Sequence, residues 1–368
     1  MKRIFYLACA LVCLSPAARL FAQSSKLVGA FYQSSGIVID SKGNAYVTGK
    51  TPRVIKITPD GKAELFAGGA RNGKEGKGRA AGFSSTNAIA IDAADNLYVA
   101  DNYKVRKITP DGTVSDFAGT GTAEVKDGGP GTASFLRLES IAVDNQGNVY
   151  VADYWPGPNW SKGRVAFAGK SLIRKISAQG VVSTIKDANN EDLVFTGGVP
   201  LATDREGVLY FTDDSCIRKL SPNGVITSFA LCDKSAVIKE GDMAAVPVTS
   251  PGAMAIANNG DLYYSDGTLQ RIIRISHGRL ATVAGNSPMA FKANPFGYAE
   301  QGYVDGKAKD AQFNYPMGIA FDRAGNLYIV DGSGNTNSYI RKLSPDGIVS
   351  TFCKHQWNPL TQQFEQPD

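Results

Sequence analysis

Histidine is nearly missing, with His277 and His355 the only two in 368 residues. Imidazole metal sites, Ser-His-Asp triads and His-based acid–base pairs therefore have few starting points, and enzymatic function is disfavoured from the outset. Long apolar runs are missing too. The longest, Ile4 to Leu14, covers eleven residues, whereas a membrane span needs about 20. There is no excess of one charge: 39 Lys and Arg face 34 Asp and Glu, and the basic residues are scattered rather than gathered in a stripe. That dispersion argues against a nucleic-acid partner. Cysteine is sparse, at five residues. Glycine, by contrast, is abundant at 40 residues, about 11% against a usual 7%. With 15 tyrosines and 17 phenylalanines, this composition suits many short strands joined by tight turns.

The first 22 residues read as an address. Lys2 and Arg3 precede the apolar run, and Leu20-Phe21-Ala22 ends in a small residue ahead of polar Gln23-Ser24-Ser25. This is the pattern of a secretory signal peptide cleaved after Ala22, so the protein is expected to be exported, periplasmic or extracellular. Removing residues 1–22 takes Lys2, Arg3 and Arg19 and leaves a net charge of +2. Cys216, Cys232 and Cys353 remain in the mature chain. Export permits a disulfide, and Cys216 and Cys232 flank the turn Ser221-Pro222-Asn223-Gly224. They are the disulfide candidates; three buried thiols are the alternative.

Internal repetition dominates the rest. Six segments end an apolar triplet in Asp or Asn: Gly36 to Asp40, Ala88 to Asp92, Ser140 to Asp144, Pro200 to Asp204, Met254 to Asn258 and Gly318 to Asp322. Each is followed by a run centred on tyrosine, at Tyr46, Tyr98, Tyr150, Tyr210, Tyr263 and Tyr328. Five of those runs close with Asp101, Asp153, Asp213, Asp266 or Asp331. A third strand follows, then turns such as Pro110-Asp111-Gly112, then a fourth strand. Proline presets φ and glycine takes the left-handed position, so the third and fourth strands form a hairpin. One such sheet cannot bury both faces alone, whereas six arranged radially bury one another. The expected fold class is all-β: a six-bladed β-propeller of four-stranded antiparallel blades. Residues 1–22 are the signal peptide, 23–35 an N-terminal arm or closing strand, 36–353 the propeller and 354–368 a C-terminal tail.

The segment Val304-Asp305-Gly306-Lys307-Ala308, continuing through Ala311-Gln312-Phe313-Asn314-Tyr315-Pro316-Met317-Gly318-Ile319-Ala320, carries a family resemblance. Asp127-Gly128 and Ala133-Ser134-Phe135 repeat it. Over residues 36–353 the sequence resembles the NHL-repeat proteins, and the resemblance implies a six-bladed scaffold, not a reaction.

Function is expected on the face that collects the inter-blade connections and the loops between second and third strands. There the sequence offers Tyr103, Tyr154, Trp155, Trp160, Lys162 and Arg164 as ligand-binding candidates, since flat rings beside cations suit a protein or glycan partner. The alternative for the aromatics is that they bury themselves to fix their own loops. The recurring Asp residues read as structural, capping N–H groups or pairing with Arg106, Arg174, Arg218 or Arg341. Asn87 and Glu139 stand just ahead of inner strands, facing the mouth of the central channel. Propellers of the gluconolactonase and regucalcin kind are similar in outline and hold a channel calcium with Glu, Asn and Asp. Calcium is thus the one cofactor to consider, and a calcium-dependent lactonase-like hydrolase is the alternative to a non-enzymatic binding module.

Overall fold

The computed structural model describes residues 34–49, 52–70, 73–155, 170–186, 190–196, 200–213, 216–231, 237–238, 246–247, 251–285, 302–332, 339–353, 356–358 and 363–365. The expected signal peptide and most of the arm lie outside them. Six antiparallel sheets follow one another along the chain, each a contiguous run of four strands paired in order. Their innermost strands are Ser34–Ile39, Ala88–Ile91, Leu138–Val143, Leu201–Thr203, Met254–Ile256 and Pro316–Phe321.

A repeated side-chain clasp sets the turn from the first to the second strand. In blade one the Asp40 carboxylate accepts from the backbone N–H groups of Lys42 (2.9 Å) and Asn44 (2.8 Å). Its other oxygen accepts from Asn44 Nδ2 (2.7 Å) and the Tyr46 hydroxyl (3.2 Å). Short Asp side chains favour such local closure over continued strand. Asp92 and Asp144 repeat all four bonds with Asn96 and Tyr98, and with Asn148 and Tyr150. Blade five departs from the pattern. Ala257 N donates to Asp261 O as Asp40 N donates to Asn44 O. Ala257 therefore holds the Asp position, and Asn258 falls one residue later, where its amide reaches the Arg323 carbonyl of blade six (3.3 Å).

Six apolar clusters fill the six junctions between neighbouring blades. Ile37, Val47 and Ile55 of blade one pack on Tyr328, Val330, Ile340 and Cys353 of blade six. The five other clusters join consecutive blades in the same way. A row of six sheets would have five junctions, so the sixth cluster closes the ring. Each fully buried Ile or Phe in these seams contributes about 1.5–3 kcal/mol.

The expected four-stranded blades are found, and three of them carry a fifth short strand. Gly76–Lys77 adds to the outer edge of blade two, Gly306–Lys307 to that of blade six, and Val194–Thr196 pairs with Lys170–Leu172 in blade three. The cause in blade six is Asp305, whose carboxylate accepts from Thr351 N (2.9 Å), Thr351 Oγ1 (3.1 Å) and Arg341 Nη2 (2.7 Å). These bonds pin the inter-blade connection along the strand. The edge is thereby paired at Ile348 and Val349; residues 26–33, the proposed closing strand, lie outside the described residues. Beyond blade six, Gln356–Asn358 pairs with Gln363–Glu365, and this hairpin lies beside the outer strand Ala63–Ala67 of blade one.

Burial raises the Asp305 carboxyl, but the Thr351 N–H and the Arg341 guanidinium outweigh it and hold the group below the ordinary carboxylate range. A depressed folded-state pKa contributes stability above the unfolded value of about 4, and that contribution is lost as pH falls further. The melting-temperature gap between wild type and Asp305→Asn should therefore narrow from pH 6 to pH 3. A gap constant over that range would contradict the assignment.

Candidate functional site

The aspartate that closes the second-strand run in blades two to six organises the loop-rich face. In blade two, Asp101 Oδ1 accepts from the N–H groups of Ser84 and Ser85, both at 2.7 Å. In blade three, Asp153 Oδ1 accepts from Leu136 (2.8 Å) and Arg137 (2.9 Å). The opposite oxygen of each meets an arginine of the third strand: Arg106 at 3.2 Å, Arg174 at 2.8 Å and, in blade six, Arg341 at 3.0 Å. Asp213 and Arg218 pair at 3.0 Å with more exposure. The expected partnership holds in all four cases, and Arg271 supplies it to Asp266 in blade five (3.0 Å). The arginines of blades two, three and six also lie over Phe83, Phe135 and Phe313. These aspartates are structural clamps that fix where the inter-blade loops emerge.

Blade three uses its clamp to build a polar cluster. Its second strand, Val149–Trp155, runs past Asp153, and Tyr154 N donates to Arg137 O (2.8 Å). The Arg137 guanidinium sits 5.4 Å from the Tyr154 ring centroid and makes a 3.2 Å ion pair with Glu139. Its side chain is 50% exposed and that of Glu139 26%. Burial raises the Glu139 carboxyl above its ordinary range, against the lowering by Arg137. Asn87 is adjacent: Nδ2 donates to Leu138 O (2.8 Å) and Oδ1 accepts from the Ser85 hydroxyl (2.6 Å). Leu138 N donates to Asn102 O (3.0 Å), and the half-buried Tyr103 follows in the same turn.

The structure thus gathers three sequence candidates, Asn87, Glu139 and Tyr154, and adds Arg137, with Tyr103 on the neighbouring turn of blade two. The signal for Arg137 was its place two residues ahead of Glu139 in an inter-blade connection. Trp155 ends the strand opposite Lys170, its side chain outside the described residues; Trp160, Lys162 and Arg164 also lie outside them. Cys216 is disulfide-bonded, and Cys232 lies outside the described residues.

The opposite face holds a cavity of about 290 Å³ at the other end of the channel. Blades two to five line it, with Asp92, Asn145, Thr203, Arg205, Ile256 and Asn258 among the residues. Arg205 Nη2 donates to Asn258 Oδ1 (2.7 Å), and Asn145 Nδ2 donates to Arg205 O (2.6 Å). Among the described residues no three His, Cys, Asp or Glu side chains are grouped as a metal-ligand set. No described helix is long and apolar enough to cross a membrane.

Residues 289–365 match the family described as the Teneurin NHL domain, and residues 28–51 match the Beta-propeller repeat. The chain is 22% identical over 346 residues to mouse (Mus musculus) teneurin-3, covering 86% of this chain and 12% of that protein. It is 26% identical over 298 residues to the Arabidopsis thaliana chloroplastic protein SUPPRESSOR OF QUENCHING 1, covering 75% and 27% respectively. The chain therefore spans a small part of the curated relatives it matches. A solved structure of a protein of unknown function from Bacteroides thetaiotaomicron superposes with a TM-score of 0.59 at 18% identity, over 86% of this chain and 69% of that one. That likeness is one of fold. Six repeat blades closed into one ring, with matches to NHL and propeller repeats towards the two ends of the chain, support an NHL-repeat β-propeller family.

Proposed function

We propose that the protein is an exported, non-enzymatic binding module that engages a protein or glycan partner through its loop-rich face, in the periplasm or outside the cell. The observation that carries this reading is the cluster at the mouth of blade three. A half-exposed arginine is stacked on one tyrosine, oriented by a partly buried glutamate, and held on a loop clamped by Asp153. An ordered guanidinium on an aromatic face loses little freedom when it meets a partner, and Arg and Tyr are over-represented among residues that dominate binding energy. The teneurin likeness extends to the repeat and supports no particular partner.

The rival, a calcium-dependent lactonase-like hydrolase, would draw on Asn87 and Glu139. Both polar atoms of the Asn87 side chain are engaged within the protein, and Glu139 is paired to Arg137. A cation there would have to displace those bonds, which favours the binding module.

Affinity capture from the native secreted fraction tests the proposal. Arg137→Ala and Trp155→Ala should each reduce capture about tenfold or more, corresponding to 1.4 kcal/mol, while shifting the melting temperature by no more than a few degrees. Undiminished capture by both variants would remove this face from the function. A collapse in stability would show that the residues pack rather than bind.

A further inference from the structure

Blade six breaks the loop pattern of blades two and three at one residue. Tyr315 occupies the position of Ser85 and Arg137, after Ala311 and Phe313 as those follow Ala81 and Phe83, or Ala133 and Phe135. Ser85 N and Arg137 N donate to the blade's aspartate. Tyr315 N instead donates to Gln270 Oε1 of blade five, and Asp331 keeps the N–H of Asn314 (2.7 Å). The rotation puts Tyr315 at φ 71°, a left-handed conformation that costs a bulky residue of order 1–3 kcal/mol. Gln270, which receives it, is 3% exposed and itself at φ 56°. Its Nε2 is anchored on Gly267 O (2.7 Å).

The result is an outward-facing ring on a fixed base. A Cβ added at Gly267 would lie 3.3 Å from two atoms of the Tyr315 ring, so the ring rests directly on the backbone of blade five. Asn314, the preceding residue, donates from Nδ2 to the Tyr303 hydroxyl (2.9 Å). Tyr303 in turn packs against Tyr339 with centroids 4.5 Å apart. Tyr303 is 38% and Tyr315 39% exposed, and they are the only aromatic side chains among the exposed large hydrophobics of the described residues. Val304 between them in sequence order is 45% exposed.

We infer that Tyr303 and Tyr315, braced by Tyr339, Asn314 and Gln270, form a second recognition platform whose ligand is a neutral saccharide. This rests on the reading of the loop-rich face as a binding surface and names a ligand class for one part of it. The chemistry decides between occupants. Flat rings held rigidly accept the apolar face of a pyranose, and rigid aromatics give large contact area at low entropic cost. The side chains that build the platform are phenols and primary amides, which suit hydroxyl groups rather than ionic partners. Two tyrosines exposed over about two fifths of their surface present far less than the roughly 800 Å² per partner that a stable protein interface buries. A backbone held in a disfavoured conformation is found where an exposed group must be aimed.

The test is calorimetric titration of the full chain with chitobiose, cellotriose and maltotriose, each up to about 10 mM, within reach of the millimolar affinities expected for so small a contact. At least one should bind to the wild type. Tyr303→Ala and Tyr315→Gly should each weaken that binding tenfold or more, with melting temperatures within a few degrees of wild type. Tyr315→Gly is the safer variant for folding, since glycine adopts the left-handed conformation freely. Val225→Ser, in an exposed hairpin turn of blade four, should leave sugar binding unchanged. No heat from any of the three sugars overturns the inference, as does binding that both tyrosine variants retain. Capture of a partner that depends on Arg137, with no heat from any of the three sugars, would sustain the binding module and reject this platform. Binding of a polyproline decamer, lost in the same variants, would reassign it to a peptide.

Discussion

Arg341→Ala should lower folding stability by about 3–5 kcal/mol, the range for removing one partner of a buried ion pair. Both terminal nitrogens of the Arg341 guanidinium are engaged. Arg341 is 0% exposed, and it reaches Asp331 (3.0 Å), Asp305 (2.7 Å) and the carbonyls of Val304 (2.9 Å) and Gln312 (3.1 Å). It also lies 5.4 Å from the Phe313 ring centroid. Its loss strands Asp331 in the interior. Burial already pushes that carboxyl up to about 7, against the Asn314 N–H and the guanidinium. Without the guanidinium it rises further. A raised folded-state pKa makes the folded form bind its proton more tightly, so stability gained at low pH is lost as pH climbs. The deficit of the variant should therefore be smaller at pH 5 than at pH 8. Denaturant melts at the two pH values measure both quantities, and a deficit under 1 kcal/mol at pH 8 would contradict the clamp's role.

Gly285→Ala is the second large effect, expected near 3 kcal/mol. Gly285 ends the outer strand of blade five at φ 103°, and a Cβ there would sit 2.5 Å from Gln270 O and 2.7 Å from Arg271 Cα. The strained φ costs about 1–3 kcal/mol for a non-glycine residue, and the collision with backbone adds an overpacking cost of about 1–3 kcal/mol. Gly68 and Gly119 stand at the same point of blades one and two, with φ 101° and 98° and backbone atoms 2.7 Å from the added Cβ. The close crossing is thus a property of the repeat. Thermal unfolding of Gly285→Ala beside Gly260→Ala decides the cause. Gly260 has a similar φ of 86° and nothing within 4 Å. Equal losses in the two would assign the effect to φ alone.

The same repeat explains what the sequence disclosed and what it withheld. Blade number, strand order and the Asp-to-Arg clamps were legible because each recurs at fixed spacing, and one copy interprets the next. Deviations from the repeat were not legible. Asn258 was read as the counterpart of Asp40, whereas hydrogen bonding gives that place to Ala257, a shift of one residue that apolar patterning does not register. The short edge strands at Gly76–Lys77 and Gly306–Lys307 have two residues each. They depend on bonds from the inter-blade connection to the outer strand, not on any strand-like pattern. Arg137 gained meaning only once Asp153 had folded its loop against Tyr154. The rotation at Tyr315 depends on Gln270, 45 positions earlier, a distance over which sequence periodicity carries no information.

Among the described residues the four main strands of each blade are one contiguous run, and the first and last blades meet through side-chain packing. The ring could be recut, with the native ends linked, at an inter-blade loop that carries no edge strand, and the four main strands of every blade would stay contiguous. Growth or loss of entire blades is accordingly the natural route by which such a ring changes size.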